Sequence, residues 1–155
     1  MDKTRKAERY LRIYGQLREM LKKCENPIAR MATIVAILHH KFEDYFWTGF
    51  YRLLDDKLTI TCYQGPVACQ VLAPHTGVCW ASIDQKKTQI VEDVNRFPGH
   101  IACDSRTLSE ITVPVYNEEG RVVAVLDVDS REFDAFDEID AEWLEKIVEL
   151  IYMKN

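Results

Sequence analysis

Residues 110–130 read EITVPVYNEEGRVVAVLDVDS and determine the sheet of this chain. Apolar residues dominate positions 111–116 and 121–128, and the four residues between them, NEEG at 117–120, are typical of a turn. Two such runs joined by so short a turn predict a β-hairpin, in which neighbouring strands are antiparallel. The fold is therefore expected to contain an antiparallel sheet built around this hairpin.

Both ends of the chain show the apolar spacing of amphipathic helices, with apolar residues recurring every three or four positions. Asn26 and Pro27 interrupt the N-terminal pattern and begin a second helix, because proline fits the first turn. Asp137 can cap the C-terminal helix. The apolar positions are Tyr10, Tyr14, Leu17, Leu21 and Cys24 in the first helix, Ile28, Met31, Val35, Leu38 and Phe42 in the second, and Ile139, Trp143, Ile147, Leu150 and Ile151 in the last.

The segments between the helices and the hairpin predict the rest of the sheet. Strands joined by short turns favour antiparallel pairing, with helices covering the sheet. We therefore predict an α+β fold, in which the N- and C-terminal helices pack on a mainly antiparallel central β-sheet within one domain, residues 1–155. The further elements are strands at 46–51, 57–63, 67–72 and 88–91, a short helix at 77–83 and a long loop at 92–109.

Length and composition limit the classes of protein. The chain has 155 residues, 47% of them hydrophobic, which suits one globular domain with a core. Its formal net charge of −5 argues against an obligate nucleic-acid binder. No apolar run reaches the roughly 20 residues that span a bilayer, and the charged start resembles no signal peptide. We therefore expect a cytoplasmic protein that binds neither nucleic acid nor membrane.

Charge is unevenly distributed along the chain. Residues 1–23 carry eight basic and three acidic side chains, whereas residues 127–155 carry three basic and ten acidic ones. The simpler interpretation is that the two terminal helices pack side by side with complementary faces. A partner-binding surface is the alternative.

Five cysteines are too few, and odd in number, for a disulfide-stabilised secreted fold. Cys24 and Cys62 follow apolar patterns and are predicted to be core residues. Cys103 lies in the long loop near a histidine, where it is either a nucleophile or an inert thiol. Cys69 and Cys79 lie on segments that can approach it. No C-x-x-C pair occurs, although nearby histidines leave a Cys/His metal site open.

Strand alternation decides which side chains share a face of the sheet. Asp127 and Asp129 share one face of the last strand. Buried acids need partners or become protonated, so two of them on an apolar strand are unusual. Either the strand emerges into solvent at Asp127 and Asp129-Ser130 forms a turn, or both acids belong to a site. In the first strand Trp47, Gly49 and Tyr51 point one way, and Phe46, Thr48 and Phe50 point the other.

Glu110 begins the neighbouring strand of the hairpin, directly after the long loop. Alone it reads as an ordinary surface residue, but together with Asp127 and Asp129 it can complete a group of three acids at one pocket. Like charges held together raise the pKa of at least one carboxyl group, and such an acid can donate a proton near neutral pH.

The loop that contains Cys103 carries the most specific signal. Residues 97–105, FPGHIACDS, and residues 109–114, SEITVP, strongly resemble the signature of the free methionine-(R)-sulfoxide reductases, which are stand-alone GAF-domain enzymes. The resemblance therefore implies a GAF-like fold. Five further segments match in family order: WTGFY at 47–51, QGPVAC at 64–69, GVC at 77–79, TQIVEDV at 88–94 and LDVDS at 126–130.

The resemblance implies reduction of free L-methionine-(R)-sulfoxide through a cysteine sulfenic acid and a disulfide, with thioredoxin as reductant and without a metal or organic cofactor. Cys103 matches the catalytic cysteine, Cys69 the usual resolving cysteine and Cys79 a third cysteine of the redox set. Homodimers are common in the family. The residues that match the substrate pocket are Trp47, Tyr51, Glu110, Asp127 and Asp129, of which Glu110 and Asp129 are also expected to be catalytic.

Two segments depart from the family pattern. Trp80 follows Cys79 where glycine is usual, and residues 74–76 also differ. A tryptophan at this position would narrow or cap the pocket, or repack the start of the helix. The alternative function is a non-catalytic GAF module that binds a small ligand or senses redox state.

Overall fold

The computed structural model describes residues 1–100 and 103–155. This part of the chain contains four α-helices and five β-strands. Ile101 and Ala102, which belong to the signature loop, lie outside the described residues. The α+β fold class predicted from the sequence is confirmed. In chain order the elements are α1 (Lys3–Met20), α2 (Pro27–Lys41), β1 (Trp47–Leu54), β2 (Lys57–Gln64), α3 (Gly77–Gln85), β3 (Gln89–Val91), β4 (Ser109–Tyr116), β5 (Val122–Ser130) and α4 (Glu138–Glu149).

The five strands form one antiparallel sheet in the order β2-β1-β5-β4-β3. The predicted hairpin forms its centre, because β5 pairs with β4 on one side and with β1 on the other. Asn117 closes the hairpin turn by accepting hydrogen bonds from the backbone N–H groups of Glu119 and Arg121, both at 3.0 Å. Gly120 has a φ of +77°, a conformation that glycine adopts without steric cost.

The main core lies on one face of the sheet. Helices α1, α2 and α4 cover this face, whereas α3 packs on the opposite face beside Val125. Because strand side chains alternate between faces, the neighbours of the core residues point toward α3 and are available for a site. The sheet residues buried in the main core are Phe50, Ile111, Val113, Val115, Ala124, Leu126 and Val128.

The terminal helices α1 and α4 pack side by side, as their charges predicted. The Nζ atom of Lys6 lies 2.7 Å from a carboxylate oxygen of Asp140 and 3.3 Å from one of Asp137. Asp137 also caps α4, since its side chain accepts hydrogen bonds from the backbone N–H groups of Ile139 and Asp140. In the described part of the chain, no helix combines the length and the apolar character needed to cross a membrane.

The prediction of a strand at 67–72 is wrong. The segment forms only an isolated bridge between Val71 and Thr59, and Val67 is 85% exposed. Its apolar residues lack the alternating burial of a strand, because the segment runs along the β2 edge only near residue 71 and otherwise borders a cavity. The loop predicted at 92–109 is shorter than expected, since Val94–Arg96 forms a 3₁₀ turn and β4 begins at Ser109.

The prediction that Cys24 is a core residue is also wrong, because its side chain is exposed. Helix α1 ends at Met20, and a 3₁₀ turn over Leu21–Lys23 changes the helical repeat, so that residue 24 no longer continues the apolar stripe. Cys62, predicted to be buried as well, is half-buried on β2.

Arg30 is a buried cation that joins both ends of the chain. It is only 1% exposed and is surrounded by main-chain carbonyl groups. Its Nη1 donates to the carbonyl oxygens of Leu150, Ile151 and Met153, and its Nε donates to those of Leu21 and Cys24.

Arg30→Met is expected to lower the free energy of unfolding by about 3 kcal/mol or more, since it leaves several buried carbonyl groups without donors. Urea denaturation measures the change, and Arg12→Met, at an exposed position, is the control. A loss no greater than that of the control would contradict the assigned role.

Candidate active site

A cavity of about 280 Å³ opens on the face of the sheet opposite the main core. It lies between the sheet, the N-terminus of α3, the segment 66–73 and the loop before β4. The structure brings all the site residues predicted from the sequence to this one cavity. They are Trp47, Tyr51, Cys69, Cys79, Cys103, Glu110, Asp127 and Asp129.

The register of the three central strands positions the carboxylates. Asp129 on β5 lies directly between Trp47 on β1 and Glu110 on β4. In the next row, Asp127 lies opposite Gly49. The interpretation that the strand ends at Asp127 is wrong, because β5 continues to Ser130 and Asp127 is only 6% exposed. Pairing with strands on both sides extends β5 past the point where an isolated strand would reach solvent.

The three carboxyl groups form a buried acidic cluster. Burial raises the pKa of Glu110 well above its usual range, and the nearby charges of Asp127 and Asp129 raise it further. Burial likewise raises the pKa of Asp127 and, together with the charge of Asp127, that of Asp129. The cluster therefore retains protons at a pH where ordinary carboxyl groups are ionised, and it can act as a proton donor.

Some polar atoms of the cavity have no hydrogen-bond partner within residues 1–100 and 103–155. They are Oδ1 of Asp127, Oδ1 of Asp129 and Nε2 of His100, all three buried. Buried polar atoms are normally paired, because removing them from water costs free energy. The unpaired carboxylate oxygens can accept hydrogen bonds from a ligand with N–H groups, such as an ammonium group.

Cys79 lies in the first turn of α3, which begins at Gly77 after the cap residue Thr76. A helix N-terminus lowers the pKa of a thiol. Here burial and the charges of Asp127 and Glu110 outweigh that effect and raise the pKa of Cys79 well above its usual range. The thiol therefore remains protonated and can donate a hydrogen bond within the cavity.

Cys79, Glu110 and Asp127 together could hold a cation. The Sγ atom of Cys79, an oxygen of Glu110 and an oxygen of Asp127 all lie within 4.8 Å of one another. Sulfur and carboxylate ligands of this kind suit a metal such as zinc. The expectation that no metal takes part stays a prediction.

A disulfide joins Cys69 to Cys103 at the cavity, with 5.8 Å between their Cα atoms. Both residues are exposed, so an external thiol can reach the bond. The structure is thus the oxidised form of a chain in which two of the three predicted redox cysteines are linked. Cys79 is free and only 5% exposed.

The aromatic wall of the cavity depends on Gly49. The Trp47 ring stacks between Tyr51 and Tyr63, with ring centroids 5.9 and 5.3 Å away. A Cβ atom at position 49 would lie 2.6 Å from the Trp47 ring and 2.5 Å from the Cβ of Tyr63. Only glycine leaves room for the indole at this place.

The aromatic wall also holds the chain around Cys69. The Nε1–H of Trp47 donates to the carbonyl oxygen of Pro66 at 3.1 Å, and the hydroxyl of Tyr51 donates to that of Cys69 at 3.3 Å. Two side chains of β1 thus fix the main chain three residues before the predicted resolving cysteine and at that cysteine itself.

Tyr51→Phe is expected to slow closure of the Cys69–Cys103 disulfide about fivefold, because one hydrogen bond that fixes Cys69 is lost. The reduced chain is treated with a small-molecule disulfide, and closure is followed by the loss of free thiols. The control is Tyr63→Phe, which removes a hydroxyl from the other ring stacked on Trp47. If both variants close the disulfide at the same rate, the hydrogen bond has no role in placing Cys69.

Sequence reasoning assigned Phe46 to the wrong face. The residue lines the cavity although strand alternation placed it on the side opposite Trp47. Strand β1 begins only at Trp47, so the alternation does not extend to Phe46. Asp104 and Thr107 also line the cavity. They follow Cys103 in an irregular loop, where no periodic pattern identifies them.

Trp80 does not line the cavity. It is 2% exposed and packs behind Cys79 in a cluster with Ile83. The His75 ring lies 4.4 Å from the Trp80 ring and bonds Asp84 at 2.9 Å. Of the two outcomes predicted for this departure from the family pattern, narrowing or capping of the pocket is wrong, because Trp80 is buried away from the cavity. Repacking of the helix start stays a prediction.

Sequence comparison finds relatives over most of the chain. The sequence profile of the GAF domain matches residues 29–152. GAF domain-containing protein A of Dictyostelium discoideum is 41% identical over 97% of this chain and 95% of that protein. The free methionine-R-sulfoxide reductase of Saccharomyces cerevisiae is 38% identical over 81% of this chain and 74% of its own length.

A solved structure extends the likeness to three dimensions. The free methionine-R-sulfoxide reductase of Neisseria meningitidis, determined in complex with its substrate, superposes with a TM-score of 0.90. It is 35% identical in sequence, and the match covers 97% of this chain and 89% of that one. The likeness therefore extends over nearly the whole chain.

Proposed function

Since this chain belongs to the GAF domain family and, within it, to the free methionine-R-sulfoxide reductases, we propose that it reduces free methionine-(R)-sulfoxide to methionine. One observation carries the proposal. An exposed disulfide between Cys69 and Cys103 lies at a cavity that also contains three carboxyl groups with raised pKa values. A thiol and a proton donor at one cavity are what sulfoxide reduction requires.

The reaction begins with the reduced enzyme. The Cys103 thiolate attacks the sulfoxide sulfur while a carboxylic acid donates a proton to the oxygen. The oxygen passes to Cys103, which becomes a sulfenic acid, and methionine is released. The Cys69 thiol then attacks the sulfenic acid, the S–S bond forms and the oxygen leaves as water.

We assign separate roles to the carboxyl groups. Glu110, 5% exposed and with its pKa raised by burial, is the proton donor, and Asp129 opposite it on the sheet shares that proton. The unpaired oxygens of Asp127 and Asp129 accept hydrogen bonds from the substrate ammonium group. Binding of the ammonium group favours a free amino acid over a methionine sulfoxide within a peptide.

The aromatic and thiol side chains complete the pocket. Trp47 offers an apolar surface to the substrate methyl group, and Tyr51 stacks beside it. Cys79, protonated and close to Asp127, donates a hydrogen bond that holds the carboxylate in place. Thioredoxin, in a reducing cytoplasm, is the proposed source of electrons.

A stereospecific assay tests the proposed function. The protein is incubated with a dithiol and either the R or the S epimer of free methionine sulfoxide, and with an N-acetylated, C-amidated R sulfoxide as a peptide mimic. We expect loss of the free R epimer alone. Consumption of the S epimer or of the blocked compound at a similar rate would contradict the assigned pocket. Binding of the R epimer without turnover would favour the non-catalytic GAF module.

A further inference from the structure

The cavity is rich in acidic groups and poor in basic ones. Among the described residues, its lining includes no lysine or arginine but four acids, Asp104, Glu110, Asp127 and Asp129. Asp104 pairs with Arg106, whereas the other three form no ion pair within the described part of the chain. A buried acid is stable only when a proton or a cation accompanies it. The cavity therefore favours a positively charged ligand.

Three side chains in the cavity have the spacing of metal ligands. The Sγ atom of Cys79 and one oxygen each of Glu110 and Asp127 lie within 4.8 Å of one another, and the three residues are only 5–6% exposed. Two ligand atoms on one tetrahedral zinc ion are about 3.5 Å apart, given bond lengths of roughly 2.0 to 2.3 Å. Small side-chain rotations are therefore enough to bring all three atoms to one ion.

Asp127 gives separate evidence for a ligand at this place. Its Oδ1 atom lines the cavity, is buried, and has no hydrogen-bond partner among the residues that the structure describes. Such an atom is costly unless a donor or a cation reaches it. A metal ion bound to this oxygen removes that cost.

Regular secondary structure holds the three side chains together. Cys79 lies in the first turn of α3, and the two acids lie on the paired strands β4 and β5. The hydroxyl of Ser82 on α3 donates to the carbonyl oxygen of Thr112 on β4 at 3.1 Å, and the Thr112 hydroxyl donates to that of Val78 at 3.3 Å. These bonds fix the start of α3 against β4. The site thus exists while the cysteines of the disulfide are linked to each other.

We propose that this chain binds one zinc ion in the cavity through Cys79, Glu110 and Asp127, and that the ion inhibits the enzyme. A thiolate ligand favours zinc over magnesium and calcium, which prefer oxygen ligands alone. Three protein ligands leave the fourth tetrahedral position to water. When sulfur binds the ion, the proton of the Cys79 thiol passes to the solvent.

The inhibition rests on the proposed function, whereas the binding of zinc does not. In that function Glu110 donates the proton and Asp127 accepts hydrogen bonds from the substrate ammonium group. An ion bound to both carboxylates takes away the proton donor and occupies the place of the ammonium group. Zinc and sulfoxide therefore exclude each other, and zinc acts as a competitor of the substrate rather than as a cofactor.

The test of binding uses the oxidised full chain with Cys24→Ser and Cys62→Ser. Of the five cysteines, Cys79 is then the one thiol left, because Cys69 and Cys103 form the disulfide. Cobalt(II) is added as a coloured substitute for zinc. We expect one cobalt ion per chain, a thiolate-to-cobalt charge-transfer band, and loss of the band on addition of zinc but not of magnesium. Absence of this band would overturn the proposal.

Substitutions in the same background identify the ligands. Cys79→Ser should abolish the band, and Cys79→Ser and Asp127→Asn should each lower the affinity for zinc at least about tenfold. Glu8→Gln, at an exposed position of α1, is the control and should leave the affinity unchanged. An affinity in Asp127→Asn equal to that of the control would overturn the proposed ligand set.

A single-turnover assay tests the inhibition separately. The reduced chain is mixed with free methionine-(R)-sulfoxide, with and without zinc and without a dithiol, which would bind the metal. We expect zinc to raise the sulfoxide concentration for half-maximal rate at least about tenfold, and Cys79→Ser to need at least about tenfold more zinc for the same effect. Equal zinc sensitivity of the two chains would contradict inhibition through this site. If no sulfoxide is reduced even without zinc, the proposed function fails, whereas the cobalt band still reports on the site.

Discussion

Cys103→Ser is expected to abolish turnover of free methionine-(R)-sulfoxide, whereas Cys69→Ser should form about one methionine per chain and then stop. The serine hydroxyl cannot replace the thiolate that attacks the sulfoxide sulfur. Loss of Cys69 leaves the attack intact but removes the thiol that reaches Cys103 across a Cα separation of 5.8 Å. Rapid-quench assay of methionine, with thioredoxin present, separates the two results.

The other thiols provide the controls for this pair. Cys62→Ser, half-buried on β2, should retain normal turnover because Cys62 does not line the cavity. Near-normal steady-state activity in Cys103→Ser would show that another group is the nucleophile. Continued turnover in Cys69→Ser would transfer the resolving role to Cys79.

Glu110→Gln is expected to reduce kcat/KM by roughly 10²- to 10⁴-fold, the usual contribution of a general acid. The substitution preserves the size of the side chain but removes the acidic proton, which the raised pKa of Glu110 retains to higher pH than in an ordinary carboxyl group. Steady-state kinetics measure the loss, and Glu8→Gln on the exposed side of α1 is the control. A variant that keeps more than half of the wild-type kcat/KM would exclude Glu110 as the proton donor.

The same substitution has a predicted effect on stability. Because the folded pKa of Glu110 lies above its unfolded value, the native state binds more protons, and the wild-type free energy of unfolding falls as pH rises between those two values. Glu110→Gln should have a shallower decline and greater stability at neutral pH. Urea denaturation at several pH values checks this, and an unchanged slope would contradict a raised pKa at Glu110.

The elements predicted best are those whose pattern repeats. The hairpin at 110–130, the apolar stripe of α2 and the cap at Asp137 are each fixed by local sequence, and all three are confirmed. The segment 67–72 has a similar apolar content but no strand, because it pairs with β2 only at residues 70–72, while the carbonyl group of Cys69 accepts a hydrogen bond from the Tyr51 hydroxyl. Such contacts between distant residues leave no periodic signal.

In the site, too, local sequence predicts some features, whereas others depend on contacts between residues that are distant in the chain. Alternation along β5 predicted that Asp127 and Asp129 share a face, but their burial follows from pairing with β1 and β4. The family signature predicted which cysteines belong to the site. The protonated state of Cys79 was not predictable in this way, because it depends on burial and on Asp127 and Glu110, which the sheet places beside the thiol. Phe46 was misplaced because only the structure locates the first residue of β1.

Intact-mass spectrometry after one encounter with substrate tests the central claim most directly. The fully reduced chain is mixed with free methionine-(R)-sulfoxide, without any reductant, and the products are mapped by peptide digestion. We predict a chain lighter by two hydrogen atoms, a single Cys69–Cys103 linkage, and methionine equal in amount to the linked chain. A chain of unchanged mass, or methionine formed while Cys103 stays a free thiol, would contradict the account.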